Sequence, residues 1–315
     1  MQDPVAIVGA AGAVGRTLVD ELERRGARPA VIGRDRQRLE RLFGARAEVR
    51  AADIANIEGA ARALEGCANA VYCVGLPYPQ FDQHPVLMRR ALEAARTAGV
   101  RRMIVVSSVY SYGHPRAARV SEEHPRGPET RKGRFRKEQE DAAMDAHGRG
   151  LLATLVLHLP DFYGPYAANS LASMMLASLL AGKPARWLGD PDLPHEFVFM
   201  PDAARVIAEL LLHPECFGRR WNLAGAGIIS GREFAALAAR ELGRPARVVA
   251  TGRLTLRLGG IFSPLLRELV ELQYLGETTV LLDDSALRSA LGGLEKTPYE
   301  EGVPRMLAWL KKEPV

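Results

Sequence analysis

The chain has 315 residues, 47% of them apolar and 25% charged, an ordinary globular mix that excludes disorder as the default. That length accommodates a large α/β domain with a smaller one appended. The formal charge is +5, but only six of the 42 basic residues are lysine, and no basic stripe alternates with aromatics, so a nucleic-acid partner is not expected.

The first half alternates short β-branched runs with longer helical patterns, the sign of a parallel sheet wrapped by helices. Val5 to Val8 reads as a strand, and Ala13 to Arg25 as a helix with Val14, Leu18 and Leu22 on one face. Between them lies Gly9-Ala10-Ala11-Gly12-Ala13-Val14-Gly15. Glycine permits the tight turn, lets the backbone approach a pyrophosphate and lets helix pack on sheet, while the helix N-terminus offers free N–H groups to phosphate. This pattern, with Ala13 and Val14 in the first helical turn, predicts a dinucleotide site.

The second strand ends Val31-Ile32-Gly33-Arg34-Asp35. A guanidinium offers forked donors to a ribose 2′-phosphate, so Arg34 predicts NADP, with NAD as the lesser alternative through Asp35. Asp53, closing a third strand (48–51), suits either an adenine contact or the start of the next helix. Further repeats follow: a strand over 70–74, a helix over 85–98, a strand over 103–107, a helix over 131–147 and a strand over 152–157.

After Pro160 the alternation stops. An apolar helix (171–180), proline-rich loops (184–194), the run Phe197-Val198-Phe199, a helix over 202–212 and Trp221-Asn222-Leu223 follow. Ser230 with Glu233 three residues on predicts a capping box opening a helix over 230–241. The leucine-rich stretch 254–275 reads as a buried helical pair, with a substrate lid or subunit contact as the other readings. The resulting fold class is α/β: a Rossmann doubly wound parallel sheet with a smaller C-terminal substrate domain. Residues 1–160, with 196–223 returning to them, form the cofactor domain; 161–195 and 224–315 form the substrate domain.

Cys67, Cys73 and Cys216 form neither a CxxC pair nor a metal spacing, and read as free thiols in a reducing compartment. The N-terminus lacks a leader pattern, and no apolar run reaches the ~20 residues of a membrane span. The expectation is a soluble, cytoplasmic protein with no metal and no membrane partner.

The assembled motifs resemble the extended short-chain dehydrogenase/reductases of the NAD-dependent epimerase/dehydratase type. The resemblance rests on the glycine turn, Asp53, Ser107-Ser108-Val109-Tyr110-Ser111-Tyr112-Gly113, and Asp161-Phe162-Tyr163-Gly164-Pro165. It continues through His195, Phe197, Asp202 and Trp221-Asn222-Leu223-Ala224. It implies that Ser108 bonds the substrate oxygen and that Gly75 belongs to the cofactor site. It also implies a YxxxK tyrosine and lysine, and here the chain departs. Lys132-Gly133-Arg134-Phe135-Arg136 puts Lys132 at the tyrosine and Arg136 at the ribose-holding lysine, with Glu140 in step; a competing register keeps Lys137 as the lysine and puts Gly133 at the tyrosine. Three outcomes stay open: Lys132 as the proton donor, Tyr110 or Tyr112 swinging in, or no standard catalysis.

Tyr112, Asp161, Tyr163 and His195 are the substrate-side expectations. The expected function is NADPH-dependent reduction of a small carbonyl substrate. The alternatives are an epimerase, isomerase or dehydratase that recycles its cofactor, and a non-catalytic NADP sensor. By analogy, a homodimer through the helices near 83–98 and 131–147 is possible.

Overall fold

The computed structural model describes residues 3–252, 268, 270, 271 and 273–312. Five βα units and a sixth strand open the chain: β1 (Val5–Val8), α1 (Ala13–Arg24), β2 (Ala30–Gly33), α2 (Arg36–Phe43), β3 (Glu48–Ala51) and α3 (Ile57–Leu64), then β4 (Asn69–Tyr72), α4 (His84–Thr97), β5 (Arg102–Ser108), α5 (Arg131–Gly148) and β6 (Ala153–Leu159). The inner strands are too apolar to leave a face in water, whereas the edge strand β3, with Glu48 and Arg50, is exposed. In β1, Val5 and Ile7 pack on one side of the sheet with Leu18 and Leu22 of α1, while Ala6 and Val8 pack on the other with Ala60, Met88, Ala91 and Ala143.

The second half begins with β7 (Asp161–Tyr163), α6 (Leu171–Leu180), β8 (Ala185–Leu188), β9 (Pro194–His195), β10 (Phe197–Phe199) and α7 (Met200–Leu210). It then returns to the first sheet as β11 (Arg220–Asn222), which pairs parallel to β6 with Trp221 opposite Leu157. The central sheet is therefore seven-stranded, in the order β11-β6-β5-β4-β1-β2-β3, with every pairing parallel. Strand order reverses between β1 and β4, and the crevice at the carboxyl ends there is where such sheets bind ligands.

The smaller layer adds β12 (Ile229–Ser230), α8 (Gly231–Leu242), β13 (Val248–Thr251), α9 (Tyr274–Glu277), α10 (Ser285–Ala290) and α11 (Tyr299–Lys312). The capping box is present: the Ser230 side chain accepts from Glu233 N at 3.1 Å, and Glu233 accepts from Ser230 N at 2.8 Å. Helix α6 packs as core through Ala172, Met175, Leu176 and Leu179, with Met174 half exposed. Most of the leucine-rich stretch 254–275 lies outside the described residues. The three cysteines are free; Cys67 and Cys216 are buried. Among the described residues no helix is long and apolar enough to cross a membrane, and no His/Cys/Asp/Glu group is placed to hold a metal.

Candidate active site

The glycine turn is built by close contacts. Gly9 has φ +89°, and a Cβ there would lie 2.9 Å from the Cys73 and Val74 backbone. A Cβ on Gly15 would lie 2.5 Å from Ala10, so helix and strand meet only without a side chain. Gly12 differs: it caps α1 with φ −80°, and its Cβ would face open space, meeting only Gly9 O at 3.4 Å. No side chain caps α1 and no acid stands in its first turn, leaving donors and a positive dipole end for a phosphate. Ala13 and Val14 pack half-buried beneath this turn, and Gly75, after β4, has nothing within 4 Å of a Cβ. These features fit a dinucleotide.

At the end of β2, Arg34 is exposed, and Arg36 pairs with Glu40 at 3.3 Å. Asp35 turns its carboxylate to Arg38 N at 2.9 Å and caps α2. Asp53 is exposed and accepts from Ala55 N at 2.9 Å, while Asn56 is the residue that caps α3.

At the end of β5, the Ser108 Oγ is buried without a partner, whereas the adjacent Ser107 donates to Glu140 at 2.6 Å. Glu140 also accepts from Arg126 at 3.0 Å and lies 3.1 Å from His158 Nε2. Burial pushes the Glu140 carboxyl up, but His158, Ser107 and Arg126 outweigh it and hold the group below its ordinary range. Tyr112 completes this buried web: it is 1% exposed, donates to Asn222 Oδ1 at 2.8 Å and lies 3.2 Å from His158 Nδ1. Its hydroxyl is committed to the web and does not face the substrate side expected from the sequence.

Lys132 is buried, and its neighbours were not legible in advance. Its ammonium donates to Glu271 Oε2 at 2.8 Å, to the Glu268 carboxylate and, at 3.5 Å, to Glu268 O, which uses all three donors. Its backbone N–H donates to Glu271 Oε1 at 3.0 Å. Burial raises Glu271, but the contacts with Lys132 prevail and lower it. Tyr110 shares a hydrogen bond with Tyr78, and burial pushes both phenols up. The Tyr78 ring lies 5.8 Å from Lys132 Nζ, and Asp161 is close enough to act on both phenols. Asp161 in turn lies 3.6 Å from His195 Nε2, whose ring is held by Trp187 and Phe197. Arg136 donates to Gln139 at 2.8 Å and leaves its buried Nε unpartnered.

The structure thus gathers Tyr110, Lys132, Arg136, Asp161 and His195 with Tyr78, which sequence reasoning missed because its loop carries no pattern. Tyr163 is elsewhere. It is fully buried among Phe199, Phe234 and Tyr299, its hydroxyl against Gly302, so it packs the small layer and does not line the cleft.

No curated protein matches the chain. The fold is shared with UDP-glucuronic acid 4-epimerase from Bacillus cereus in complex with NAD (TM-score 0.82, 17% identity, 98% of this chain and 99% of that one). It is shared too with the dTDP-glucose 4,6-dehydratase DesIV from Streptomyces venezuelae with NAD and TYD bound (0.79, 20%, 98% and 97%). A third is the Bordetella bronchiseptica enzyme WbmG in complex with NAD (0.79, 19%, 99% and 95%). All three were crystallised with NAD, which overturns the expectation of NADP. Physically, Arg34 is one of three exposed arginines on this helix flank, with Arg36 paired to Glu40, and a solvated charge at a strand end does not by itself select a 2′-phosphate. The family model for NAD dependent epimerase/dehydratases matches residues 5–224, and the chain belongs to that family.

Proposed function

We propose that the protein is an NAD-dependent enzyme of the epimerase or dehydratase kind, which oxidises and re-reduces its substrate while the cofactor stays bound. The NAD-bound sugar-nucleotide epimerase and dehydratase that share its fold support this over net carbonyl reduction and make nucleotide sugars the first substrates to try. The carrying observation is the uncapped start of α1 behind Gly12, together with the unpartnered Ser108 Oγ at the end of β5.

Bound NAD supplies a hydride acceptor and donor. The N–H groups of α1 would hold its pyrophosphate, with Gly12 leaving room for its approach, while Gly9 and Gly15 keep strand and helix in close contact beneath it. Ser108 Oγ hydrogen-bonds the substrate oxygen. With all three Lys132 donors engaged, the Tyr110–Tyr78 phenol pair carries a proton to and from that oxygen. Asp161 and His195 bound the substrate from the small layer.

One observation favours a second reading, a non-catalytic NAD-binding protein: a paired lysine stands where the resemblance puts the catalytic tyrosine. Calorimetric titration with NAD and NADP, followed by NMR of nucleotide sugars incubated with the holoenzyme, separates the two. Epimerised or dehydrated product supports the enzyme. Tight NAD binding with no conversion supports the second reading, and absence of NAD binding refutes both.

A further inference from the structure

Lys132 fastens one end of a segment whose other end is fixed elsewhere. Glu271 takes the Lys132 backbone N–H at 3.0 Å and its ammonium at 2.8 Å, and the Glu268 carboxylate takes the ammonium as well. A few residues on, Gly276 of α9 lies against the end of β8. Its carbonyl accepts from Asp190 N at 2.9 Å, and a Cβ on Gly276 would lie 1.9 Å from Leu188 O. Between the two fastenings Tyr274 is buried, its ring 4.9 Å from that of His114, and Leu275 packs in the same apolar cluster as Tyr110.

The two ends are held in different ways. At Gly276 backbone rests on backbone, and Gly189 opposite is equally tight, since a Cβ there would lie 2.1 Å from Gly276 O. Neither contact has a side chain that could rotate aside. At Lys132 only the side chains of the segment make contact. The lysine is 4% exposed, but the Glu268 and Glu271 side chains are 27% and 25% exposed, so water reaches both carboxylates and screens the attraction. The Lys132 ammonium is also 5.8 Å from the centre of the Tyr78 ring, which puts this end at the wall of the candidate active site.

We propose that the segment carrying Glu268, Glu271, Tyr274 and Gly276 is a hinged strap. It stays attached to the small layer at Gly276 and lets go at Lys132, opening the wall beside Tyr78. Lysine at the position where the resemblance puts a tyrosine is then a latch and not an acid. That the opening admits substrate rests on the proposed active site. The hinge itself does not, and it is read with no substrate present, so its failure and the failure of that activity are separate results.

Native-state amide exchange of the full-length chain distinguishes the two ends. The Lys132 N–H is the second of α5 and has no acceptor within its own helix; Glu271 supplies one. Gly133 N, one residue on, donates to Thr130 Oγ at 3.0 Å and reports fraying of the helix end alone. The Lys132 amide is expected to exchange at least about 100-fold faster than that of Ala143 within α5, with little dependence on urea, the mark of a local opening. Glu271→Ala should speed it by about tenfold or more, while the Gly133 and Asp190 amides stay within about twofold of the parent. A urea dependence at Lys132 as steep as at Ala143 overturns the strap, because the contact then breaks only on unfolding. A Lys132 amide indifferent to Glu271→Ala overturns the latch, and Gly133 speeding in step with it reduces the event to fraying and overturns it too. Asp190 speeding in step overturns the hinge, because the segment then leaves whole.

Discussion

Alanine at Gly12 and alanine at Gly15 should produce opposite defects, although the two glycines stand three residues apart in one motif. At Gly15 the new methyl would lie 2.5 Å from the Ala10 Cα and carbonyl oxygen, both backbone atoms that cannot rotate away. Strand β1 and helix α1 must then separate, an overpacking strain of about 1–3 kcal/mol. For a chain of this size that corresponds to a midpoint lowered by roughly 2–10 °C. At Gly12 the methyl meets only Gly9 O at 3.4 Å, and the φ of −80° suits any residue. The weaker N-cap is offset by the reduced freedom of the unfolded chain, so stability should change by less than about 0.5 kcal/mol. The same methyl occupies the space through which a pyrophosphate approaches the helix, and NAD affinity should fall by about tenfold or more. Calorimetric NAD titration beside thermal unfolding of both variants reads both axes. A Gly12→Ala protein that binds NAD as tightly as the parent would refute the placement of the cofactor on this turn.

The web around Glu140 should be expensive to break: Glu140→Gln leaves Arg126 with Asp141 alone and removes the charge that His158 and Ser107 face, and it should cost about 3 kcal/mol in urea unfolding; an unchanged midpoint would contradict that. Glu196, 2% exposed and bonded by Leu282 N and Gly225 N, is pushed up to about 7 by burial. Because the folded state holds that proton more tightly than the unfolded one, this group's contribution to stability should fall by about 3 kcal/mol as pH rises from about 4.5 to 7, then level off. Glu196→Gln should flatten that slope, which pH-dependent denaturation curves measure. Lys132→Met should destabilise the fold as well as any activity, and a double-mutant cycle with Glu271→Gln should show coupling of about 1 kcal/mol or more. Additive effects would mean that the ion pair contributes nothing.

What the sequence made legible was local. The glycine turn, the capping box at Ser230 and Glu233 and the apolar strands each depend on residues within a turn or two of one another. Tyr112 was not legible, because its hydroxyl answers to Asn222, 110 positions away. Lys132 was misleading for the same reason: its carboxylate partners are 136 and 139 positions on, in a stretch that reads only as leucine-rich. Tyr163 sits in a motif that implies a substrate contact, yet the aromatic neighbours that enclose it come from three other elements. Cofactor choice failed differently, because a charged residue at a strand end has the same sequence appearance whether it meets a phosphate or water.

The pairing of β11 with β6 has a consequence for synthesis on the ribosome. The seventh strand is encoded only at residues 220–222, after the chain has left the sheet to lay down β7 to α7. Until those residues emerge, β6 is an outermost strand with its hydrogen-bonding edge open and Thr154 to Leu159 all destined for burial. An apolar open edge of this kind invites pairing with another nascent chain. A fragment ending near residue 160 would keep the whole glycine turn, yet it would be permanently in that vulnerable state. The cofactor half of this protein is therefore not a detachable module, and expression of it alone should yield aggregate that the intact chain avoids.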